Sequence, residues 1–196
     1  MFRNVPEPAK KEDLRVRRSR DRLGDALVAL LVEKPFDEIT VQDVLDRAEV
    51  SRSTFYTHYR DKNDLFLSDA EEFFEMMAGA LSRAGDKSDR VAPVQELFAH
   101  IAEVRPFYDA LIASGRSHDL LELGQGHFAR GIAQRFNEVS RASSIPPGSR
   151  SAIAHALAGS LFSLLAWWIR QGMTPSAHEM DKVFHQLVWS GASLRS

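Results

Sequence analysis

Residues 40–65 read TVQDVLDRAEVSRSTFYTHYRDKNDL, and the fold turns on how this stretch divides. Val41, Val44, Leu45 and Ala48 recur at i, i+3, i+4 and i+7, the spacing of one helical face. Thr40 suits the N-cap of that helix, with Asp43 three residues on as the other half of a capping box. Glu49 and Val50 form a tight turn, and Ser51 caps a further helix running to about Tyr59. At 100° per residue Phe55 and Tyr59 fall on one side of it, where with Val50 they pack inward. Arg52, Ser53, Tyr56 and Thr57 fall on the other. Such a face has hydrogen-bonding groups, reach from Arg52 and Tyr56, and small residues that allow close approach. A helix entering a major groove needs that combination.

Outward from this stretch the chain reads as all-α, about nine helices. A first helix over roughly 14–33 carries Leu23, Leu27, Leu30 and Leu31 on one face and stops before Pro35. Asp61 caps a long fourth helix, 61–83, ending near Gly85. Later helices are expected at about 93–103, 105–114, 117–141, 148–171 and 176–194, with breaks at Pro106, Gly115, Pro146-Pro147-Gly148 and Gly172–Pro175. The spacing predicts a flexible basic arm over 1–13 and a helix-turn-helix head over 14–60. The start of helix 61–83 serves as connector to a larger helical body over 84–196, expected to be the ligand-binding and dimerisation domain for the reasons given below.

Charge is unevenly spread. Net charge is −2, yet residues 1–22 hold eight Lys/Arg against four Asp/Glu, with Arg15, Arg17, Arg18, Arg20 and Arg22 crowded together. A basic end on an acidic body fits phosphate contact at one end only. Lys62 lies in the first turn of the fourth helix, where the dipole disfavours a cation and a phosphate would reverse that cost. His58, four residues earlier, is a second donor for phosphate.

Other classes are disfavoured. No cysteine is present, so disulfides and thiolate metal sites are excluded and a reducing cytoplasm is expected. The N-terminus lacks the apolar core of an export signal. Residues 152–169 approach membrane-spanning length, but His155, Ser160 and Ser163 interrupt them, so a core or interface helix is expected and no membrane partner. No metal-ligand spacing, nucleophile elbow or phosphate loop appears. Gly124-Gln125-Gly126-His127-Phe128-Ala129 fits a dinucleotide fingerprint in letters only, since no strand precedes it. No catalytic residue, metal or cofactor is therefore expected.

Residues 15–70 resemble the head of the TetR/AcrR repressors, and residues 40–65 carry the resemblance. It implies that Thr40 touches the DNA backbone and that Arg52 and Ser53 read bases. It also implies that Thr54 and Tyr56 contact backbone or base edges, while His58 and Lys62 clamp phosphates; Ser51 and Thr57 complete the expected DNA-binding set. Glu49 stands where the family usually has Gly, so the turn is either strained by about 1–2 kcal/mol or differently shaped.

The resemblance implies a homodimer whose last two helices build a four-helix bundle. The apolar stripes agree: Leu157, Leu161, Leu164, Leu165 and Trp168, then Met180, Val183, Phe184, Leu187, Val188 and Leu194. Of these, Leu161, Leu165, Trp168, Val183, Phe184 and Leu187 are the candidate dimer residues. Phe98, Phe107, Tyr108, Phe128, Phe162 and Trp167 are candidates for an apolar ligand pocket, with His127, His155 or His100 as polar handles and Gly124, Gly126, Gly131 and Gly159 leaving room. The function implied is a repressor of a palindromic double-stranded operator, released by a small apolar or amphipathic inducer. An activator of the same fold, a head-only architectural binder without a sensor, or an enzyme using the C-terminal pocket are the alternatives.

Overall fold

The structure is a computed structural model and describes residues 11–191, without the side chains at 11–15, 117, 119 and 191. Residues 1–10 of the expected arm, and Leu194, lie outside the described residues. The described chain falls into two compact units that divide between Asp69 and Ala70.

In the first unit α1 (Lys11–Glu33) begins within the stretch expected as arm. Its Leu23, Leu27, Leu30 and Leu31 are buried, as their spacing predicts. Pro35 follows, and a short 3-10 turn, Phe36–Glu38, inserts Phe36 into the core beside Phe66, ring centroids 5.5 Å apart. α2 (Val41–Ala48) starts on the capping box: Thr40 Oγ1 accepts from the Asp43 N–H at 3.1 Å, and Asp43 Oδ2 accepts from the Thr40 N–H at 2.7 Å. It ends on Glu49 in the left-handed region, φ 50° and ψ 43°. The turn is therefore the strained one of the two expected shapes. α3 (Arg52–His58) is capped by Ser51, whose Oγ accepts from the Thr54 N–H at 3.2 Å. α4 (Lys62–Ala78) starts in this unit and buries Leu65 and Phe66 there.

The second unit continues with α5 (Ala80–Arg83), α6 (Val94–Glu103), α7 (Arg105–Ala113), α8 (Ser117–Arg135), α9 (Arg150–Arg170) and α10 (Ala177–Gly191). α8 packs along α9, and α6 against α10. Two expected helices are shorter. The one over 61–83 breaks at Gly79, where the backbone leaves helical geometry. Beside that break Gly131 approaches so closely that a Cβ would sit 2.7 Å from the Ala78 carbonyl oxygen. The helix expected to reach 141 ends at Arg135, whose buried guanidinium donates to the carbonyls of Asp86, Ser88 and Arg90 at 2.8, 3.0 and 2.9 Å. Phe136, Val139, Ala142 and Ile145 then bury at intervals of three, and residues 140–144 form a 3-10 turn. That period belongs to the tighter helix.

Among the described residues, 147–170 is the one helical stretch long and apolar enough to cross a membrane. Here it supplies Ala154, Ala158, Leu161, Phe162, Leu165 and Trp168 to the core of the second unit.

Candidate nucleic-acid interface and ligand cavity

α3 has the two faces its periodicity predicts. Phe55 and Tyr59 are buried with rings 5.7 Å apart, while Arg52, Ser53, Tyr56 and Thr57 are exposed, Tyr56 by 51%. The N-cap position leaves Ser51 exposed, 2.8 Å from the Thr54 hydroxyl. Thr54 and His58 are half-buried flanks of the exposed face. Thr57 donates its hydroxyl to the Ser53 carbonyl one turn back at 2.9 Å, which leaves its methyl group and acceptor lone pairs outward.

Arg52 is held across the turn. Its Nη2 donates to Gln42 Oε1 at 2.8 Å, and Gln42 Nε2 donates in turn to Asp46 Oδ1 at 2.7 Å. Gln42 was not in the expected site. Its exposed place on α2, one turn before the polar Asp46, is the signal that finds it. Two arginines of the basic stretch are committed within the unit: Arg20 Nε donates to the Tyr59 hydroxyl at 3.1 Å, and Arg22 pairs with Glu49 at 3.0 Å. Arg17 and Arg18 stay exposed.

Lys62, expected at a phosphate, also has partners within the first unit. Its ammonium donates to the carbonyls of Phe36, Asp37 and Ile39 at 2.6, 3.2 and 2.6 Å and lies over the Phe36 ring. Three carbonyls match the three donors of an ammonium. The cation therefore closes the open end of the 3-10 turn.

The second unit contains an apolar cavity of about 160 Å³. Of the pocket candidates, Tyr108 and Phe162 lie in its lining; Phe98, Phe107, His127, Phe128, His155 and Trp167 lie outside it. Phe98 is fully buried against Trp168, centroids 4.8 Å apart, and Phe128 packs edge-on to Phe162 in the core. Phe107 stacks edge-on beside Tyr108 outside the lining. His127 is buried 3.9 Å from Glu71, and burial with the nearby Arg130 lowers its pKa. His155 is exposed near Gln125, and Trp167 is 42% exposed. The wall comes instead from Phe74 and Leu111, and from Phe162, Leu165, Ala166, Ile169 and Arg170 on one face of α9. That i, i+3, i+4, i+7, i+8 spacing was readable; choosing aromatics over helical position hid it.

The dimer candidates divide in the same way. Leu161, Leu165, Trp168 and Phe184 are buried within a single chain and belong to its core. Val183 and Leu187, one turn apart on α10, are 43% and 60% exposed. The deeper stripe of each helix packs on its own chain, leaving the flank to solvent.

Known proteins agree with this architecture. Residues 23–68 match the family described as bacterial regulatory proteins, tetR family, and residues 93–189 match one described as transcriptional regulator C-terminal region. An uncharacterized HTH-type transcriptional regulator of Bacillus subtilis, YxbF, is 22% identical over 177 residues, covering 85% of this chain. The chain spans 44% of the length of that relative. A TetR regulator from Streptococcus agalactiae superposes with a TM-score of 0.61 at 23% identity, over 90% of this chain and 97% of that one. A TetR-family regulator from Syntrophomonas wolfei does so at 0.64 and 17%, over 90% and 95%. A head with a capped, outward-facing α3, followed by an α-helical body that a regulator profile also matches, places this chain in the TetR family of DNA-binding transcriptional regulators.

Proposed function

We propose that the chain is a homodimeric repressor that grips a twofold-symmetric operator through α3 and releases it when a small apolar or amphipathic molecule enters the cavity of the second unit. The exposed polar face of α3 carries this reading. Arg52 and Ser53 are the base readers, and Thr40, Ser51, Thr54, Tyr56, Thr57 and His58 surround them as backbone and edge contacts. Val183 and Leu187 are apolar groups that one chain leaves in water, which favours their burial against a second copy. Two copies present two reading helices to successive turns of duplex, about 34 Å apart.

α4 supplies the coupling. Its first residue, Lys62, is tied to the 3-10 turn of the head, and Phe74, three turns on, is part of the cavity wall. A ligand that favours one position of Phe74 shifts the population of head positions, and only one of these fits the operator.

Selection of bound fragments from random DNA, followed by anisotropy titration on the recovered site, tests the reading. A palindromic motif, with affinity that falls when the cavity is occupied, is expected. Failure to enrich any sequence at low salt, or operator affinity indifferent to a cavity ligand, overturns it.

A further inference from the structure

The cavity wall also bears on which molecules act as inducer, an inference that rests on the reading just given. A dry cavity of about 150 Å³ accepts benzene. At about 160 Å³ this one takes an apolar group of roughly six or seven carbons. Phe74, Leu111, Ala166 and Ile169 offer no polar side-chain atom to an occupant.

Two residues of the lining, Tyr108 and Arg170, carry polar groups. The Tyr108 hydroxyl has no hydrogen-bond partner among the described residues, and burial raises its pKa, so it is a neutral donor at ordinary pH. The Arg170 guanidinium, in the last turn of α9, has neither carboxylate nor carbonyl partner among the described residues. Other arginines of this unit are engaged: Arg90 by Asp181, Arg135 by Asp86, Arg141 by Asp89, Arg150 by the carbonyls of Ala142 and Ile145. A helix-ending arginine is favourable beside the dipole wherever it points. One that borders an apolar cavity is also placed to pair with an anion.

We propose that the cavity takes a compact organic carboxylate, an aryl or short alkyl acid, with its hydrocarbon part among Phe74, Leu111 and Ala166 and its carboxylate on Arg170. Tyr108 supplies the one neutral donor in the wall. Selectivity follows from charge: the unpaired guanidinium favours acids over alcohols of equal size.

Calorimetric titration of the full chain with 4-methylbenzoate and hexanoate, beside 4-methylbenzyl alcohol, hexan-1-ol and palmitate, tests this. The two short acids bind best, and Arg170→Gln lowers their affinity about 10- to 100-fold while changing that of the alcohols less than about twofold. Arg170 is exposed, so this variant keeps the fold. Ala166→Phe fills the cavity and removes binding of both classes; Leu111→Phe serves the same end if that protein does not fold. Alcohols binding wild type as tightly as acids, Arg170→Gln binding the acids unchanged, or neither acid binding overturns the carboxylate inference. The inducer-site reading falls separately: it fails if a molecule that releases operator DNA from wild type does so equally from the cavity-filled variant.

Discussion

The Lys62 ammonium donates to the Ile39 carbonyl at 2.6 Å, joining the start of α4 to the residue before the capping box of α2. With the Phe36 carbonyl at 2.6 Å it closes the 3-10 turn that leads into α2. Loss of this tie takes the ammonium from the part-buried Ile39 carbonyl, while the Phe36 carbonyl still accepts from the Ile39 N–H at 3.1 Å. Lys62→Met is expected to lower the urea-unfolding stability by about 2 kcal/mol. The slope of log affinity against log salt should stay unchanged, because each lost phosphate contact would reduce it by about 0.9. A slope reduced by that amount would mean Lys62 leaves the carbonyls for phosphate once DNA binds.

Glu49 occupies a left-handed conformation that glycine adopts without strain, and its side chain makes an exposed pair with Arg22. Glu49→Gly should therefore be neutral or stabilising by up to about 1 kcal/mol, the relief being partly offset by a more flexible unfolded chain. Glu49→Val should destabilise by more than about 1 kcal/mol, because a β-branched residue tolerates this region badly. Denaturant midpoints decide. Equal midpoints for the two variants would show that the turn carries no strain.

Arg52 is held by Gln42 at 2.8 Å before any DNA arrives. Arg52→Ala should relax preference at particular base pairs by about 1–3 kcal/mol, read by repeating the fragment selection. Gln42→Ala frees the same guanidinium without removing it, so the motif should persist with affinity lower by less than about tenfold. Recovery of an unchanged motif with Arg52→Ala would take Arg52 out of the reading set.

In the second unit Asp181 binds α10 to the start of α6. Burial alone would raise its pKa, but the His185 hydrogen bond and charge, Arg90 at 3.0 Å and the Gln95 N–H outweigh it and hold the carboxyl below its ordinary value. A depressed folded pKa contributes stability that is fully present above the unfolded value, about 3.9, and is lost as pH falls through that value toward the folded one. Asp181→Asn should cost about 2 kcal/mol between pH 5 and 8, a figure discounted for partial exposure of the site. The gap from wild type should narrow below about pH 4. A gap that stays constant to pH 3 would show that the carboxylate charge is not what matters.

Val183 and Leu187 are the apolar positions of α10 left in solvent. Leu187→Glu should shift the protein toward monomer in sedimentation velocity and weaken binding to a two-half-site operator more than to a single half-site. An unchanged sedimentation coefficient would place the dimer contact elsewhere.

The head was largely legible before its coordinates. Thr40 with Asp43, Ser51, Pro35, and the pair Phe55 and Tyr59 each state a local rule that depends on neighbours within four residues. Lys62 was not legible in this way, because its partners lie 23 to 26 residues back. Nor was the break at Gly79, which coincides with the approach of Gly131 from another helix.

In the body, periodicity said which sides of α9 and α10 are apolar but not what each side meets. Leu161, Trp168 and Phe184 look like Val183 and Leu187 in letters, and burial within one chain separates them. Arg170 likewise reads as an ordinary helix-ending cation until Tyr108 and Phe74 are seen to share its cavity. Helices, caps and the two faces of α3 were thus determined by the amino-acid order alone, since backbone hydrogen bonding and helical periodicity act over one or two turns. The cavity, the tie at Lys62 and the solvent-facing flank of α10 were decided by tertiary packing, which joins residues whose separation along the chain leaves no periodic trace.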